Sequence, residues 1–190
     1  MHYTSNRYTS MRLVIELMIL GFLAEGPLHG YELRRRMEEL FGYARPISYG
    51  TLYPAITRLA KAGLVHQHTE SGKAGAARVT LTLTESGRLA LQEKLRTASG
   101  TDITDGHRFM VVLAFLSLLD SHAERNAVLQ RRLDFLAQPA SFFYDGDQPL
   151  RAADIEDPYR QGILVSAKAT SRAERAWLTY MLTAPDPKDS

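Results

Sequence analysis

The stretch "ISYGTLYPAITRLAKAGLV", Ile47 to Val65, gathers chemistry of one kind. Ser48, Thr51 and Thr57 offer aliphatic hydroxyls, and Tyr49 and Tyr53 offer phenols. Arg58 and Lys61 follow as cations within three turns. Hydroxyls of this sort bond base edges or phosphates, and the cations neutralise phosphates. Gly50 and Pro54, which look like breakers, stand among them. No nucleophile, base and orienting acid recur at a catalytic spacing. The chain has no G-x-S-x-G elbow, no phosphate-binding glycine loop and no H-E-x-x-H, which argues against an enzyme.

Leu52, Ile56 and Leu59 recur at helical spacing, so the stretch is read as an amphipathic helix. With Leu52 facing the core, about 100° per residue carries Gly50, Pro54, Thr57 and Lys61 to the far side, with Tyr53 and Arg58 on its flanks. Proline lacks an N–H and is tolerated best in a first turn. The regular helix is therefore expected to start near Thr51, capped by Ser48 or Thr51. Gly50 would let another molecule approach the backbone closely. A face that is small, polar and basic at one end suits a helix whose front enters a DNA major groove. It would also suit an ordinary surface helix with its tyrosines packed on neighbours, and spacing alone does not choose.

The elements around it follow from period. Arg12 to Ala24 reads as a mostly apolar helix and Gly30 to Phe41 as a second, with Leu33, Met37 and Leu40 on one face. Gly63 suits the end of the third helix. Leu64 to Thr69 and Arg78 to Leu83 alternate as strands around "ESGKAGAA", a hairpin. Thr84 is a plausible cap for a fourth helix. Helix, helix, helix, hairpin, helix is the order of a winged helix-turn-helix, expected over residues 1–97. A polar linker is expected at 98–106, a helical dimerisation domain at 107–184 and a disordered tail at 185–190. The fold class is thus mainly α with a small β-hairpin wing.

Composition sets bounds on partners and place. The chain is 45% apolar and 23% charged, ordinary for a folded domain. It has no cysteine, hence no disulfide or thiolate metal site, and the cytoplasm is the default compartment. "LVIELMILGFLA", Leu13 to Ala24, is 12 residues long, carries Glu16 and precedes no cleavage site. It reads as a buried helix, well short of the ~20 residues that span a bilayer, so no membrane partner is expected. Residues 1–97 hold 13 Lys and Arg against 8 Asp and Glu, net +5, whereas residues 98–190 hold 10 against 13, net −3. The basic excess lies in the half that holds the hydroxyl-rich helix, the direction expected for a polyanionic partner.

"LHGYEL" (Leu28 to Leu33), the Ile47 to Val65 stretch with its G-T-L-Y-P core, and "VTLTLTESGRLAL" (Val79 to Leu91) resemble, in order and spacing, the PadR family of bacterial transcriptional regulators. The resemblance covers roughly residues 10 to 97. The second half is similar to the longer, virulence-activator-like branch through its helix order and "ERAWL" (Glu174 to Leu178). The resemblance implies a homodimer on double-stranded operator DNA with an inverted repeat, its third helices in successive major grooves and its wings near flanking phosphates. By position, Ser48, Tyr49, Gly50, Thr51, Tyr53 and Pro54 would form the recognition end, and Lys73 and Arg78 would lie on the wing. A wing tip so short of basic residues implies a modest contribution centred on Lys73. Repression by operator occupancy, relieved by a small-molecule effector, is the expected mode, with activation or a winged-helix protein-interaction module as alternatives. No cofactor is implied, and the protein would work at the nucleoid.

Three further groups carry expectations. His66 and His68 share a strand face and with His29 could approach a metal, but they are read instead as polar residues of an exposed wing strand, and no metal is expected. Arg35, in "RRR", could reach phosphate, but Glu32, Glu38 and Glu39 point to a solvated mixed face. On the last helix, Ile163, Ala167, Ser171, Glu174, Leu178 and Met181 share a stripe with Trp177 at its edge. With Phe109, Leu113 and Leu116 they are expected to form the dimer interface, or else Trp177 and Glu174 line an effector pocket. A buried Glu174 would need a partner, which Arg125, Arg131 or Arg132 could supply.

Overall fold

A computed structural model describes residues 3–42, 46–70, 78–138 and 142–185. The chain divides into two compact units, residues 1–120 and 121–190.

The first unit is built on α1 (Tyr3–Glu25). Ile15, Met18, Ile19, Leu20 and Leu23 are buried along it, and an apolar run without a polar face is what a helix packed on several sides requires. A short β1 (Leu28–His29) leads to α2 (Gly30–Leu40), then α3 (Tyr49–Lys61), the antiparallel β2 (Val65–Glu70) and β3 (Arg78–Leu83), and α4 (Glu85–Arg96). The sheet order is β1-β3-β2, with Leu28 opposite Leu81 and Val65 opposite Leu83. Helices α3 and α4 both pack on α1.

Two glycines fix how the third helix meets the wing. Gly63, at φ +73°, ends α3: its N–H donates to the Ala60 carbonyl and that of Leu64 to the Leu59 carbonyl, closing the helix by a left-handed turn. At Gly87 a Cβ would lie 2.1 Å from the Leu64 carbonyl oxygen, so α4 can sit against that turn only without a side chain there. Thr84 is the N-cap expected of it, accepting from the Gly87 N–H and donating to the Gly63 carbonyl.

The boundary expected at 98–106 is not where the packing divides. That segment contains α5 (Thr101–Thr104), whose Ile103 is buried, and Arg108 reaches back to Asp102. Next, α6 (Gly106–Phe115) packs on α1 in the first unit rather than opening a second domain. Phe115 meets Phe22 edge-on at 5.0 Å, and a Cβ on Gly21 would lie 2.6 Å from the Phe115 ring. Phe109, Val111, Val112 and Phe115 are the buried residues of this helix, while Met110 stays exposed.

The second unit pairs α7 (His122–Ala137), capped by Ser121, with α8 (Pro158–Thr183), capped by Asp157 with Pro158 in its first turn. Between them, where the sequence reads as loop, two-residue strands β4 (Tyr144–Asp145) and β5 (Gln148–Pro149) pair. The expected disordered tail falls, from residue 186 on, outside the described residues.

Candidate nucleic-acid interface

Ser48 is the N-cap of α3, its Oγ accepting the Thr51 N–H at 3.2 Å, so the helix begins at Tyr49, two residues before the position expected from Pro54. Pro54 is then the sixth helical residue, past the first turn. Its absent N–H is the one that would bond the Gly50 carbonyl four residues back, so that carbonyl receives no helical donor from position 54. A Cβ on Gly50 would meet nothing nearer than Ser48 Oγ at 3.8 Å. The chain itself has no need of a glycine there.

Leu52, Ala55, Ile56 and Leu59 are buried, while Ser48, Tyr49, Gly50, Thr51, Tyr53, Pro54, Thr57 and Lys61 are exposed. The amphipathic reading thus places the candidate residues on one free face. Their hydroxyls are partly engaged at home: Ser48 and Thr51 share a bond of 2.9 Å, and Thr57 donates to the Tyr53 carbonyl at 3.0 Å. Each oxygen keeps further bonding capacity. Tyr49 and Tyr53 stack at 5.6 Å and 19°, and the Arg34 guanidinium lies 4.5 Å from the Tyr49 ring centre. Gly30 makes room for Tyr53, whose Oη would be 3.3 Å from a Cβ there. Behind them His29, Tyr31, Tyr53, Ile56, Gln67 and Leu81 line an open hollow of about 520 Å³ between α2, α3 and the wing.

Arg58 is engaged within the chain. Its Nε donates to Glu16 Oε1 at 3.1 Å, and Arg12 donates to the same oxygen at 3.1 Å, so Arg58 ties α3 to α1. Glu16 is only 8% exposed, and a carboxylate so placed requires partners. Lys61 is the cation of the pair that stays on the outer face. Lys73 lies outside the described residues, and of Arg78 only the strand position is described.

The other groups sort plainly. His66 and His68 project from β2 with ring centres 6.1 Å apart, while His29 Nδ1 lies 3.3 Å from Thr80 Oγ1. Among the described residues no group of three His, Cys, Asp or Glu is arranged to hold a metal. Arg35 pairs with Glu39 and Arg36 with Glu25, both exposed pairs, which fits the mixed solvated face. Glu32 caps α2 by accepting the His29 N–H at 3.0 Å, and that bond holds its carboxyl below the ordinary value of 4.5. The sequence pattern places Arg34 and Glu38 only within a solvated mixed face. Glu38 Oε1 accepts the Ile47 N–H at 3.0 Å, just before the α3 cap, and lies 3.5 Å from Arg34 Nη1. A search for cations one turn from acids would have found the pair but not its link to Ile47.

The residues expected at the dimer face differ in how far the chain itself covers them. Phe109, Leu116 and Leu178 are buried, Leu113, Ala167, Ser171, Glu174 and Met181 are half-buried, and Ile163 and Trp177 are exposed. The stripe holding Leu164 and Leu178 is the buried side of α8, in the unit that pairs it with α7. Of the three candidate partners, Arg132 takes Glu174, by Nε–Oε1 at 2.7 Å and Nη2–Oε2 at 2.9 Å. This fork satisfies both charges at the inner face. The hollow of about 840 Å³ on this unit is lined by Gln130, Leu133, Lys168, Ser171, Arg172 and Arg175, with neither Trp177 nor Glu174 in its lining. No described helix is long and apolar enough to cross a membrane.

Comparison with known proteins gives a consistent result. Residues 19–93 match the model of the transcriptional regulator PadR-like family. The chain is 25% identical over 179 residues to the negative transcriptional regulator PadR of Bacillus subtilis, covering 91% of this chain and 98% of that protein. The crystal structure of Bacillus subtilis PadR in complex with operator DNA aligns over 89% of this chain and 97% of that one at 23% identity, with a TM-score of 0.44. A PadR family transcriptional regulator from Eggerthella lenta aligns over 47% of this chain and 76% of its own at 27% identity, with a TM-score of 0.37.

Proposed function

Because residues 19–93 form a domain of the PadR-like family, whose members are transcriptional regulators rather than enzymes, we propose that this chain represses transcription by seating the front of α3 in the major groove of an operator. The observation that carries the reading is the free face centred on Gly50. A helix front that is small, hydroxyl-bearing and unobstructed, with a glycine the fold does not require, is built for close approach by another molecule. Ser48, Tyr49, Thr51 and Tyr53 supply donors and acceptors for base edges, Lys61 meets phosphate, and Arg58 holds the helix on α1. The net +5 of residues 1–97 steers the approach. Lys73 and Arg78 extend the contact along the wing, modestly.

The reading includes a homodimer on an inverted repeat, at the nucleoid in the cytoplasm; the Bacillus relative, a negative transcriptional regulator, supports the repressing mode alone. A small-molecule effector that relieves repression is the regulatory arm of this reading. Genome-wide binding followed by footprinting tests it. The expected result is a protected inverted repeat near a promoter, its half-sites about one helical turn (~10 bp) or a multiple apart. Uniform weak binding with no protected site would overturn sequence-specific recognition and favour a protein-interaction module.

A further inference from the structure

Resting on the DNA-binding reading above, we propose that Arg34 and Glu38 of α2 are positioning residues for readout, setting where α3 starts and how its two tyrosines are presented. The arrangement is a three-layer stack with a brace. The Arg34 guanidinium lies over Tyr49 at 4.5 Å, and Tyr49 lies on Tyr53 at 5.6 Å, nearly parallel. Glu38 holds the other end of the brace, accepting the Ile47 N–H one residue before the Ser48 cap while facing Arg34 Nη1. One i,i+4 pair on α2 therefore touches both the backbone that initiates α3 and the first ring of its front, Tyr49.

The chemistry of Arg34 fits holding a ring better than gripping a phosphate. Its Nε is buried and has no acceptor among the described residues, and its contact to Glu38 is long, at 3.5 Å. A flat guanidinium above an aromatic face is retained by cation–π attraction and stacking, which a lysine ammonium does not reproduce in shape. The neighbours differ: Arg35 and Arg36 point to Glu39 and Glu25 and touch neither tyrosine through any described contact. Tyr49 and Tyr53 both remain about half exposed, at 46% and 51%. Fixing both rings from the inner side reduces the freedom lost when they meet a base or phosphate, so the stack acts on specificity.

The test uses the full chain and the DNA fragment its footprint defines, beside a scrambled duplex of equal length, in fluorescence anisotropy across a salt series. Arg34→Lys is expected to lower specific affinity about three- to tenfold, to leave affinity for the scrambled duplex unchanged, and to keep the salt slope. Tyr49→Leu should lose a similar factor, and Arg34→Lys added to Tyr49→Leu should lose little more. Without DNA, Arg34→Lys should shift the Tyr49 ring resonances by NMR while the thermal midpoint stays within a few degrees. Wild-type behaviour of Arg34→Lys would overturn the proposal by showing that charge alone suffices. So would an equal loss on both duplexes for Arg34→Gln with a salt slope lower by about one, which marks a phosphate contact. If the wild-type chain fails to distinguish the two duplexes, the DNA reading falls, and this one with it; if it distinguishes them and the variants do so by the same factor as wild type, only this one falls.

Discussion

Gly50 separates what the fold needs from what a partner needs. It sits in helical backbone with open space where a side chain would stand, so Gly50→Ala should raise thermal stability by about 0.5–1 kcal/mol through reduced freedom of the unfolded chain. The same methyl group would stand between the helix front and a groove, and operator affinity should fall by at least about tenfold, or 1.4 kcal/mol. A melt and an anisotropy titration on one preparation check both signs, and loss of stability with unchanged affinity would place the glycine's role inside the fold. Tyr53→Ala offers the contrast, a loss of specific affinity of about 1–3 kcal/mol with little change on scrambled DNA. These residues were legible in the sequence because a hydroxyl-rich face at helical spacing needs no tertiary knowledge. The commitment of Arg58 was not, since its partner Glu16 is 42 positions away and the pair follows from how α1 crosses α3.

Helix ends in the first unit are set by local chemistry, and they read well from sequence wherever the cap is a side chain. Thr84 and the Gly63 stop follow from residue type, whereas α3 starts two residues before the expected point. Proline's preference for the first turn dominated that expectation, but Pro54 sits deeper, where the exposed Gly50 carbonyl tolerates a missing donor. The close approach at Gly87 is equally invisible locally, because what it meets is the Leu64 backbone. Gly87→Ala should force α4 away from that turn and destabilise the first unit by about 2–3 kcal/mol, read as a lower urea midpoint. At the start of α2, the depressed Glu32 carboxyl makes a pH prediction. Its folded value lies below its unfolded one, so its contribution is fully present above the ordinary carboxylate range and is lost as pH falls through the depressed value. Urea midpoints from pH 6 down to about 3 should therefore fall more steeply for wild type than for Glu32→Gln, the two curves converging at the acid end. Parallel curves would remove Glu32 from the helix cap's energetics.

At the scale of the molecule, the proposed dimer needs a face that the chain leaves open, and α8 offers one that shares only Ile163 and Trp177 with the stripe read from its sequence. Leu164 and Leu178 are buried, which turns Tyr159, Ile163, Ser166, Thr170, Ala173, Trp177 and Tyr180 outward, spaced three or four residues apart. The stripe has large apolar or aromatic residues at both ends and small ones in the middle, so two copies of a 26-residue helix can approach closely at the centre and seal with rings at the ends. Period alone could not choose between the two faces. Both carry apolar residues, and only the packing shows that the stripe with Glu174, held by Arg132, faces inward. Ala173→Arg adds a charge at the centre of the outer face without touching the Leu164 and Leu178 side. It is expected to give a folded monomer by sedimentation, with an unchanged melt of the first unit. Affinity for one isolated half-site should stay constant, while affinity for the full inverted repeat should fall by about 10²-fold or more, because the second half-site no longer binds as an intramolecular event. A variant that remains dimeric would move the interface off this face of α8.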